Sequence, residues 1–561
     1  MKELPIPDDR PKTASRWRYW VPRLATAIFV PLLLLALTEA ALRLFNVGYA
    51  TELMNDCTVG GHPSSCYNLF FAAPFFPPGM IKAPQFYTIP KMKTPETYRI
   101  FVLGESAAMG DPDPAYGFSR YLEVMLRERF PNTKFEVINT GIVAIDSHVI
   151  LPIARELAHY KPDLFIVYAG NNEVVGPYGP GTALTASSLS LPVIRSSIFV
   201  RSTRIGQLLT KVSQPRSDWK GMEMFLEKQV RADSPALQRT YSNFDSNLRD
   251  IVDAARASGA RVLLSTVATN LRDCPPFASL HREGLTTEAL REWSSLVQQG
   301  VAVENARSFA DAVKSYTAAA QIDDQYAELQ FRIARCLWAL GDYVSAKEHF
   351  ARAQDLDTLR FRADTKINDI IRSVANSSGK QVELLDAQSA LAAESPNGVI
   401  GSELLYEHVH LNPPGNYLLA RTAFTEIVEH LPPVVRAPAL SVNPLSQSEC
   451  QQLLALTSHD RSRMASEMIQ RMQQPPFTNQ LNHAEQIQNL TLKAIGSTET
   501  FPDTLGEYKW AIAQAPSDRI LHSKFGFLLF DFDRNASAQQ FLLARPSDDF
   551  PVFLPDGTRI R

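Results

Sequence analysis

Five short segments dominated by apolar residues constrain the fold of this chain more than any other feature. They are Tyr98–Leu103, Phe135–Asn139, Leu164–Tyr168, Ala260–Ser265 and Val382–Asp386. Stretches of helical periodicity, 118–130 and 147–160, separate the first three. Strands that are apolar on both faces belong in a parallel sheet that helices cover on both sides. The pattern therefore predicts an α/β domain whose polar strand ends share one functional edge.

The length and composition indicate a folded protein of several units. The chain has 561 residues, of which 45% are apolar and 20% charged. The net charge is −3, and no cluster of lysine and arginine follows residue 25. The sequence therefore disfavours a nucleic-acid partner. It also lacks the Gly-Lys motif that cradles nucleotide phosphates.

An almost continuous apolar run, Leu24–Phe45, follows a basic segment at residues 1–23. About 20 apolar residues in a helix cross a membrane. The basic residues before the run predict that the N-terminus is cytoplasmic and that everything after the run lies outside the cytoplasm. A cleaved signal peptide is the alternative, but residues 38–40 form a poor cleavage site. We expect a single-pass anchor in the inner membrane, with Glu39 and Arg43 paired near its outer end.

The five cysteines cannot all form pairs. Cys57 and Cys66 lie close together in a linker at residues 46–97, and they can form a local disulfide if this segment is extracytoplasmic. Cys274, Cys336 and Cys450 are scattered without the spacing of metal ligands. They are interpreted as small buried apolar residues, and no metal site is expected.

A 34-residue period interrupts the α/β pattern. The matched pairs are Phe309 and Tyr343, Ala312 and Ala346, Tyr316 and Phe350, and Ala319 and Ala353. Alanines at close helix crossings with aromatics between them resemble tetratricopeptide repeats, and generic amphipathic helix pairs are the alternative. The resemblance implies a helical insertion at residues 285–365 that binds a protein partner. A weaker copy from Pro516 onward indicates a helical repeat-like tail at residues 436–561.

Four further segments carry residues suited to catalysis. They are Val102–Ser106, Val137–Gly141, Tyr168–Glu173 and Tyr406–Asn412. The first places a serine at a strand-to-helix turn, where a nucleophile is exposed beside helix amides. A serine that only caps a helix is the alternative for that segment taken alone.

Together these segments resemble the motif blocks of SGNH (GDSL-like) hydrolases. The resemblance covers residues 98–284 and 366–435, on either side of the repeat. It implies a three-layer, flavodoxin-like parallel sheet. The family usually has aspartate where this chain has Glu105, Glu173 and Glu407.

The resemblance implies a catalytic triad. The family's nucleophile falls on Ser106, and its acid-x-x-His spacing falls on Glu407 and His410. His410 is then the general base, and Glu407 orients its ring. His408 is the competing histidine, and an extended segment would point it away from His410.

The resemblance also implies three donors to an oxyanion. These are the backbone N–H of Ser106, a backbone N–H five residues after Asn139, and the side chain of Asn172. The counted position is Ala144, where the family has glycine. Asn171 competes with Asn172 for the third role.

Five residues are candidates for the walls of the cleft: Glu105, Gly141, His148, Asn171 and Asn270. Gly141 has a turn as its alternative role. Asp146, Ser147 and His148 are consecutive and cannot converge as a triad, so they are interpreted as a capped helix start. Asn270 follows the fourth strand, where a loop that holds the insertion is the alternative.

The sequence therefore predicts a membrane-anchored serine esterase that acts on a carboxylic ester without metal or cofactor. Its location alone favours O-acetyl groups on an extracytoplasmic glycan, or a lipid ester. One alternative is a polysaccharide O-acyltransferase on the same fold. The other is an inactive hydrolase domain that serves as a scaffold for the repeats.

Overall fold

The computed structural model describes residues 16–185, 189–213, 218–494 and 500–560. Lys2, Arg10 and Lys12 of the basic N-terminal segment lie outside the described residues.

The described residues form three sheets. Their strands are β1 (Met54–Val59), β2 (His62–Tyr67), β3 (Thr88–Pro90), β4 (Thr97–Gly104), β5 (Lys134–Asn139), β6 (Leu164–Tyr168), β7 (Arg261–Ser265), β8 (Val382–Leu385), β9 (Val552–Phe553) and β10 (Arg559–Ile560). The central sheet has five parallel strands in the order β5-β4-β6-β7-β8. This sheet confirms the strands that the sequence predicts.

The described residues also form 21 α-helices. They are α1 (Arg16–Leu44), α2 (Ser106–Met109), α3 (Phe118–Arg129), α4 (Ser147–Leu157), α5 (Leu191–Ser202), α6 (Arg204–Ser213), α7 (Pro235–Ala257), α8 (Thr287–Asn305), α9 (Phe309–Ile322), α10 (Ala327–Ala339), α11 (Tyr343–Leu356), α12 (Thr365–Ser377), α13 (Ala387–Ala393), α14 (Pro413–His430), α15 (Pro433–Arg436), α16 (Gln447–Leu453), α17 (Ser458–Met472), α18 (His483–Ala494), α19 (Phe501–Gln514), α20 (Arg519–Leu529) and α21 (Arg534–Leu543). One packed group contains α3 and α14, and a second contains α4, α7 and α12. Both groups contact the central sheet, which explains why every residue of β4 is buried.

The order of the central strands fixes where a site can form. The chain leaves β4 for one neighbour, β5, and then returns to the other neighbour, β6. In an open parallel sheet, such a reversal opens a crevice at the carboxyl ends of the strands. The segments after β4 and β6 begin with Glu105 and Ala169, so they meet at this crevice.

Residues 46–97 are more ordered than the irregular linker that the sequence predicts. Here β1, β2 and β3 form an antiparallel sheet, and a disulfide joins Cys57 on β1 to Cys66 on β2. The turn between these strands is Gly60–Gly61, with φ of +56° and +77°. Two glycines at positive φ are typical of a two-residue hairpin, so the signal was present in the sequence. The other three cysteines are free and buried, as predicted.

The apolar N-terminal helix, α1, extends beyond the predicted run. Its stretch Trp20–Leu44 is long and apolar enough to cross a membrane, and its apolar side chains are exposed. Arg43 Nε donates to Glu39 Oε1 at 2.8 Å, which is the predicted pair.

The repeat forms two helix pairs, α8–α9 and α10–α11. The matched alanines at 312, 319, 346 and 353 are all buried at the helix crossings. Phe331 and Phe350 also pack against Val399 of the segment after α13. Thr269 Oγ1 donates to Gln354 Oε1 of α11 at 2.6 Å. The insertion is therefore tied to the loops at the functional edge of the sheet.

The tail is helical, as predicted, and it returns to the α/β domain. The hydroxyls of Tyr116 and Tyr508 lie 3.0 Å apart in the interior. Asp113, in the segment after α2, pairs with Arg463 of α17 and Lys524 of α20. These buried polar contacts hold α17 against the carboxyl ends of the central strands.

Candidate active site

Ser106 is the first residue of α2, two positions after Gly104 at the end of β4. Its Oγ lies 2.8 Å from Nε2 of His410, although 304 positions separate the two residues in the chain. Glu105 precedes α2 without capping it through its side chain. The serine hydroxyl is therefore held at the sheet edge beside an imidazole.

His410 and Glu407 lie in a tight turn that the bridge between Leu405 and Leu411 closes. Glu407 Oε1 lies 2.6 Å from His410 Nδ1, and it also accepts the backbone N–H of His410 at 2.8 Å. Glu407 is completely buried. This carboxylate fixes Nδ1 as the protonated nitrogen and leaves Nε2 to accept the serine proton.

His408 is not turned away from the site, contrary to the expectation for an extended segment. Its Nδ1 contacts Oε2 of Glu407, so both imidazoles share one carboxylate. The prediction was wrong because residues two positions apart, such as 408 and 410, lie on the same face of an extended segment. Its ring packs edge-on against Phe277 at 5.3 Å between ring centroids. His408 therefore contacts Glu407 and lines the cleft next to His410.

A second carboxylate, which sequence reasoning missed, faces the predicted general base. Asp111 Oδ2 lies 3.2 Å from His410 Nε2. Arg471 of α17 holds the same carboxylate, with Nη2 2.9 Å from Oδ1. No local motif marks this pair, because 360 positions separate Asp111 from Arg471.

These charges set the protonation of the base. Burial lowers the pKa of His410, and Arg471 lowers it further, whereas Asp111 raises it. The pKa of His410 therefore lies below the ordinary imidazole value of 6.5. Burial raises the pKa of Asp111, but the charges of His410 and Arg471 outweigh this effect and leave it below its ordinary value. At neutral pH, His410 is a neutral base beside an ionised carboxylate.

We expect the acid limb of kcat/KM for ester hydrolysis to have its midpoint below pH 6.5, because activity is lost only when His410 is protonated. Replacing Asp111 with asparagine removes the charge that raises this pKa, so the midpoint should move to lower pH. A pH-rate profile of the two proteins measures the shift. Asp311→Asn, at an exposed site in the repeat, should leave the profile unchanged. A shift to higher pH in Asp111→Asn would contradict this electrostatic account.

Ala144 and Asn172 lie beside Ser106 in the wall of one cleft. Ala144 has φ of +60°, a left-handed conformation that favours glycine. The positive φ explains why a glycine suits the position. An alanine also carries a backbone N–H, so this donor does not require glycine. Asn172 Nδ2 donates one hydrogen to the carbonyl of Ile145 at 3.1 Å. Its second amide hydrogen remains for a ligand.

Glu105 and Asn171 lie behind the cleft, contrary to the expectation that they line it. The Glu105 carboxylate accepts the backbone N–H groups of Gly170, Asn171 and Asn172 at 3.1, 2.9 and 3.2 Å. Asn171 Oδ1 accepts the N–H of Ala363 at 3.1 Å. Glu105 thus turns inward because three amides need a buried acceptor. Its function in the fold is to position the loop that carries Asn172.

Buried acids support this loop from below. Burial and the neighbouring Glu173 raise the pKa of Glu105 to about 8. Burial likewise raises the pKa of Glu173 to about 7, although that carboxylate accepts both the N–H and the hydroxyl of Ser147 at 2.8 Å. Asp146 caps α4, as the sequence indicates, by accepting the N–H of His148. The longer glutamates at 105 and 173 therefore reach backbone amides and do not face the substrate.

The other three cleft candidates also lie elsewhere. A Cβ on Gly141 would stand 2.7 Å from the backbone nitrogen of Met109, so this glycine permits a close approach under α2. His148 Nδ1 lies 3.0 Å from the Asn247 amide and faces a separate cavity, because α4 carries it away from Ser106. Asn270 accepts the N–H of Asp273 at 2.9 Å and shapes a loop.

The cleft itself has a volume of about 460 Å³. Ser106, Asp111, Glu407 and His410 line it together with Ala144 and Asn172. The side chains that sequence reasoning missed are mainly apolar or aromatic, with basic residues among them: Lys82, Trp219, Met222, Phe225, Phe361, Met468, Arg471 and Phe477. Three of these come from the tail, so α17 and the segment after it complete the wall.

Glu407, His408 and His410 also form a buried cluster whose ligand atoms lie within 4.8 Å of one another. Glu407 Oε1 and both ring nitrogens of His410 have polar partners in the site. Glu407 binds both imidazoles, and His410 Nε2 contacts Ser106. The arrangement thus fits a hydrogen-bonded triad.

Comparisons with known proteins confirm the repeat. The family model of the tetratricopeptide repeat matches residues 306–363. The chain is also similar to a solved acetyl xylan esterase, AlAXEase, with 11% identity and a TM-score of 0.28, over 59% of this chain and 99% of that one. A TM-score at this level carries no argument about activity. Among curated proteins, none matches the sequence.

Proposed function

We propose that this protein is a serine-dependent carboxylic ester hydrolase of the SGNH type. The observation that carries the proposal is the hydrogen-bonded chain from Ser106 Oγ through His410 to Glu407, at 2.8 and 2.6 Å, on the wall of an open cleft. A nucleophile, a base and an orienting carboxylate are the groups that acyl transfer needs.

In the proposed reaction, Ser106 Oγ attacks the ester carbonyl carbon and His410 Nε2 takes the hydroxyl proton. The C–O bond to the alcohol breaks, and His410 gives that proton to the leaving oxygen. Water then attacks the carbonyl carbon of the acyl-enzyme and loses a proton to His410 Nε2. The C–O bond to Ser106 Oγ breaks and releases the carboxylic acid, and His410 gives its proton to Oγ, which restores the hydroxyl.

The negative oxygen of each tetrahedral intermediate needs donors on the same wall. The backbone N–H groups of Ser106 and Ala144 and the side chain of Asn172 are the proposed set. Their shared place in the cleft supports this set. Each such donor typically contributes about 10²–10³ in rate.

The strand order supports the SGNH-type interpretation. Numbered within the central sheet alone, the order β5-β4-β6-β7-β8 becomes 2-1-3-4-5, the flavodoxin-like order. Ser106 and Asn172 follow the two strands that flank its switch point, as expected for a site in that fold.

We propose further that α1 anchors the enzyme in the inner membrane and that the catalytic domain lies outside the cytoplasm. The disulfide between Cys57 and Cys66 supports an oxidising compartment for the residues after α1. An acylated glycan or a lipid ester is a substrate available there, and the cleft volume admits either ester.

Labelling with a fluorophosphonate tests the site directly. The full-length protein in detergent should form an adduct that mass spectrometry locates on Ser106. The His410→Ala variant should react far more slowly, since the base that activates the serine is missing. An adduct on another serine would overturn the assignment. An unlabelled Ser106 in folded protein would argue for an inactive domain.

A further inference from the structure

The outer end of α1 is fixed to the catalytic domain through helix α6. The Glu39 carboxylate of α1 accepts the backbone N–H groups of Arg204 and Ile205, at 3.0 and 3.1 Å. These residues form the first turn of α6, where free amides favour an anionic partner. Gln207 of α6 also bonds to both the N–H and the carbonyl of Tyr49, each at 2.9 Å. Helix α6 therefore holds the chain on both sides of the end of α1.

The position of Glu39 sets the level of α6 relative to a bilayer. From Trp20 to Glu39 the helix advances 19 residues, which corresponds to roughly 28 Å. The hydrocarbon core of a membrane is about 30 Å thick. Glu39 therefore stands where α1 leaves the hydrocarbon, and the first turn of α6 lies at headgroup level.

Exposed apolar side chains surround this point. Phe199 at the end of α5 is 71% exposed, and Leu209 of α6 is 62% exposed. Val193, Val200, Leu69 and Phe70 are also exposed. Phe70 stacks on Tyr49 with ring centroids 5.1 Å apart, next to the residues that bind α6. Soluble surfaces rarely group large apolar side chains in this way.

Basic residues lie in the same two helices. They are Arg195, Arg201, Arg204 and Lys211. Large apolar groups together with arginine and lysine on a short helix are typical of elements that lie in a membrane interface. Arg195 pairs with Asp250, and Arg201 donates to the carbonyl of Phe76. Lys211 is exposed, and its charge suits an anionic headgroup.

We propose that α5, α6 and the turn 68–70, together called the α5–α6 surface, rest on the phospholipid leaflet from which α1 emerges. The inference rests on the proposed anchoring by α1 and extends it. The catalytic domain is then held against the bilayer and does not swing on a flexible linker.

This arrangement fixes the distance from the leaflet to the active site. The Glu156 carboxylate of α4 accepts the N–H groups of Leu53 and Met54, shortly after the anchor, at 2.7 and 2.9 Å. Helix α4 has 11 residues and spans roughly 16 Å. Its other end begins just after Ala144 in the wall of the cleft. A rigid helix thus links the segment next to the membrane to the catalytic centre.

Nitroxide depth measurements on the full-length chain in anionic phospholipid nanodiscs test the proposal. Single cysteines would replace Phe199, Leu209, Leu33 and Val344, and the native free cysteines are buried. Leu33 reports on the middle of α1. Val344 lies in the repeat and is 75% exposed, so it is the matched control in water. Relative accessibility to oxygen and to a water-soluble nickel chelate gives the depth of each label.

The labels at 199 and 209 should be more accessible to oxygen than to the nickel chelate. Their ratio of oxygen to nickel accessibility should lie between the ratios at 33 and 344. Labels at 199 and 209 as open to nickel as the one at 344 would overturn the α5–α6 surface, whatever the label at 33 shows. A label at 33 that is open to nickel would overturn the anchor instead. Neither readout depends on hydrolysis, so failure of the proposed activity remains a separate result.

Discussion

Replacing Ser106 with alanine should reduce kcat/KM for p-nitrophenyl acetate by about 10⁴–10⁶-fold, the range seen when a serine nucleophile is removed. The variant keeps the backbone N–H groups and Asn172, so only the attacking oxygen is lost. Circular dichroism should show an unchanged fold, because a hydroxyl in the wall of an open cleft supports little of the core. Steady-state hydrolysis by the two full-length proteins measures the effect.

Ser234→Ala is the matched control for this experiment. Ser234 also begins a helix, where its side chain accepts the N–H of Ala236, but it lies outside the residues that line the cleft. Its loss should cost about 1 kcal/mol of stability as a helix cap and leave hydrolysis unchanged. Equal hydrolysis by wild type and Ser106→Ala would refute the esterase proposal and favour the scaffold.

Alanine variants of the two neighbouring histidines should differ clearly in activity. His410→Ala removes the base and should lower kcat/KM by an amount similar to that of Ser106→Ala. The double variant Ser106→Ala/His410→Ala should lose no further activity, since residues of one proton-transfer chain act as a unit. His408→Ala removes the contact to Glu407 and the ring packing against Phe277. Its cost should be roughly 10-fold, the equivalent of one hydrogen bond of about 1.4 kcal/mol.

His408→Gln is the conservative partner in this series, because an amide can still donate to Glu407. It should recover most of the activity that His408→Ala loses. If His408→Ala were as inactive as His410→Ala while still folded, His408 would have to act on the substrate itself. The triad would then need to be reassigned.

Much of the site follows from local patterns in the sequence. The apolar strands end where polar residues begin, and parallel strands bring those ends together, so the strand pattern predicts that the segments with Ser106 and Asn172 meet. The choice of Asn172 over Asn171 rests on the resemblance to SGNH hydrolases. The spacing from Glu407 to His410 needs only a short turn to bring carboxylate and imidazole together. The 34-residue period predicts the repeat because identical helix pairs need identical contacts at their crossings.

The glutamates at 105 and 173 show where local reasoning fails. The sequence predicts that Glu105 lines the cleft, and it makes no prediction about the direction of Glu173. The structure turns both side chains inward, where Glu105 accepts three backbone N–H groups and Glu173 binds Ser147. Which way a buried carboxylate turns depends on the unpaired amides around it, and those belong to other segments of the chain.

Local patterns in the sequence predict the five central strands, the repeat, the apolar N-terminal helix and the spacing from Glu407 to His410, because each depends on residues that are close in the chain or follow a regular period. Only the tertiary structure decided that Asp111 faces His410 Nε2, that Arg471 holds Asp111, and that the tail completes the cleft. These contacts join side chains hundreds of positions apart. The packing of helices on the sheet determines which of these side chains meet. Such packing produces no regular period in the sequence.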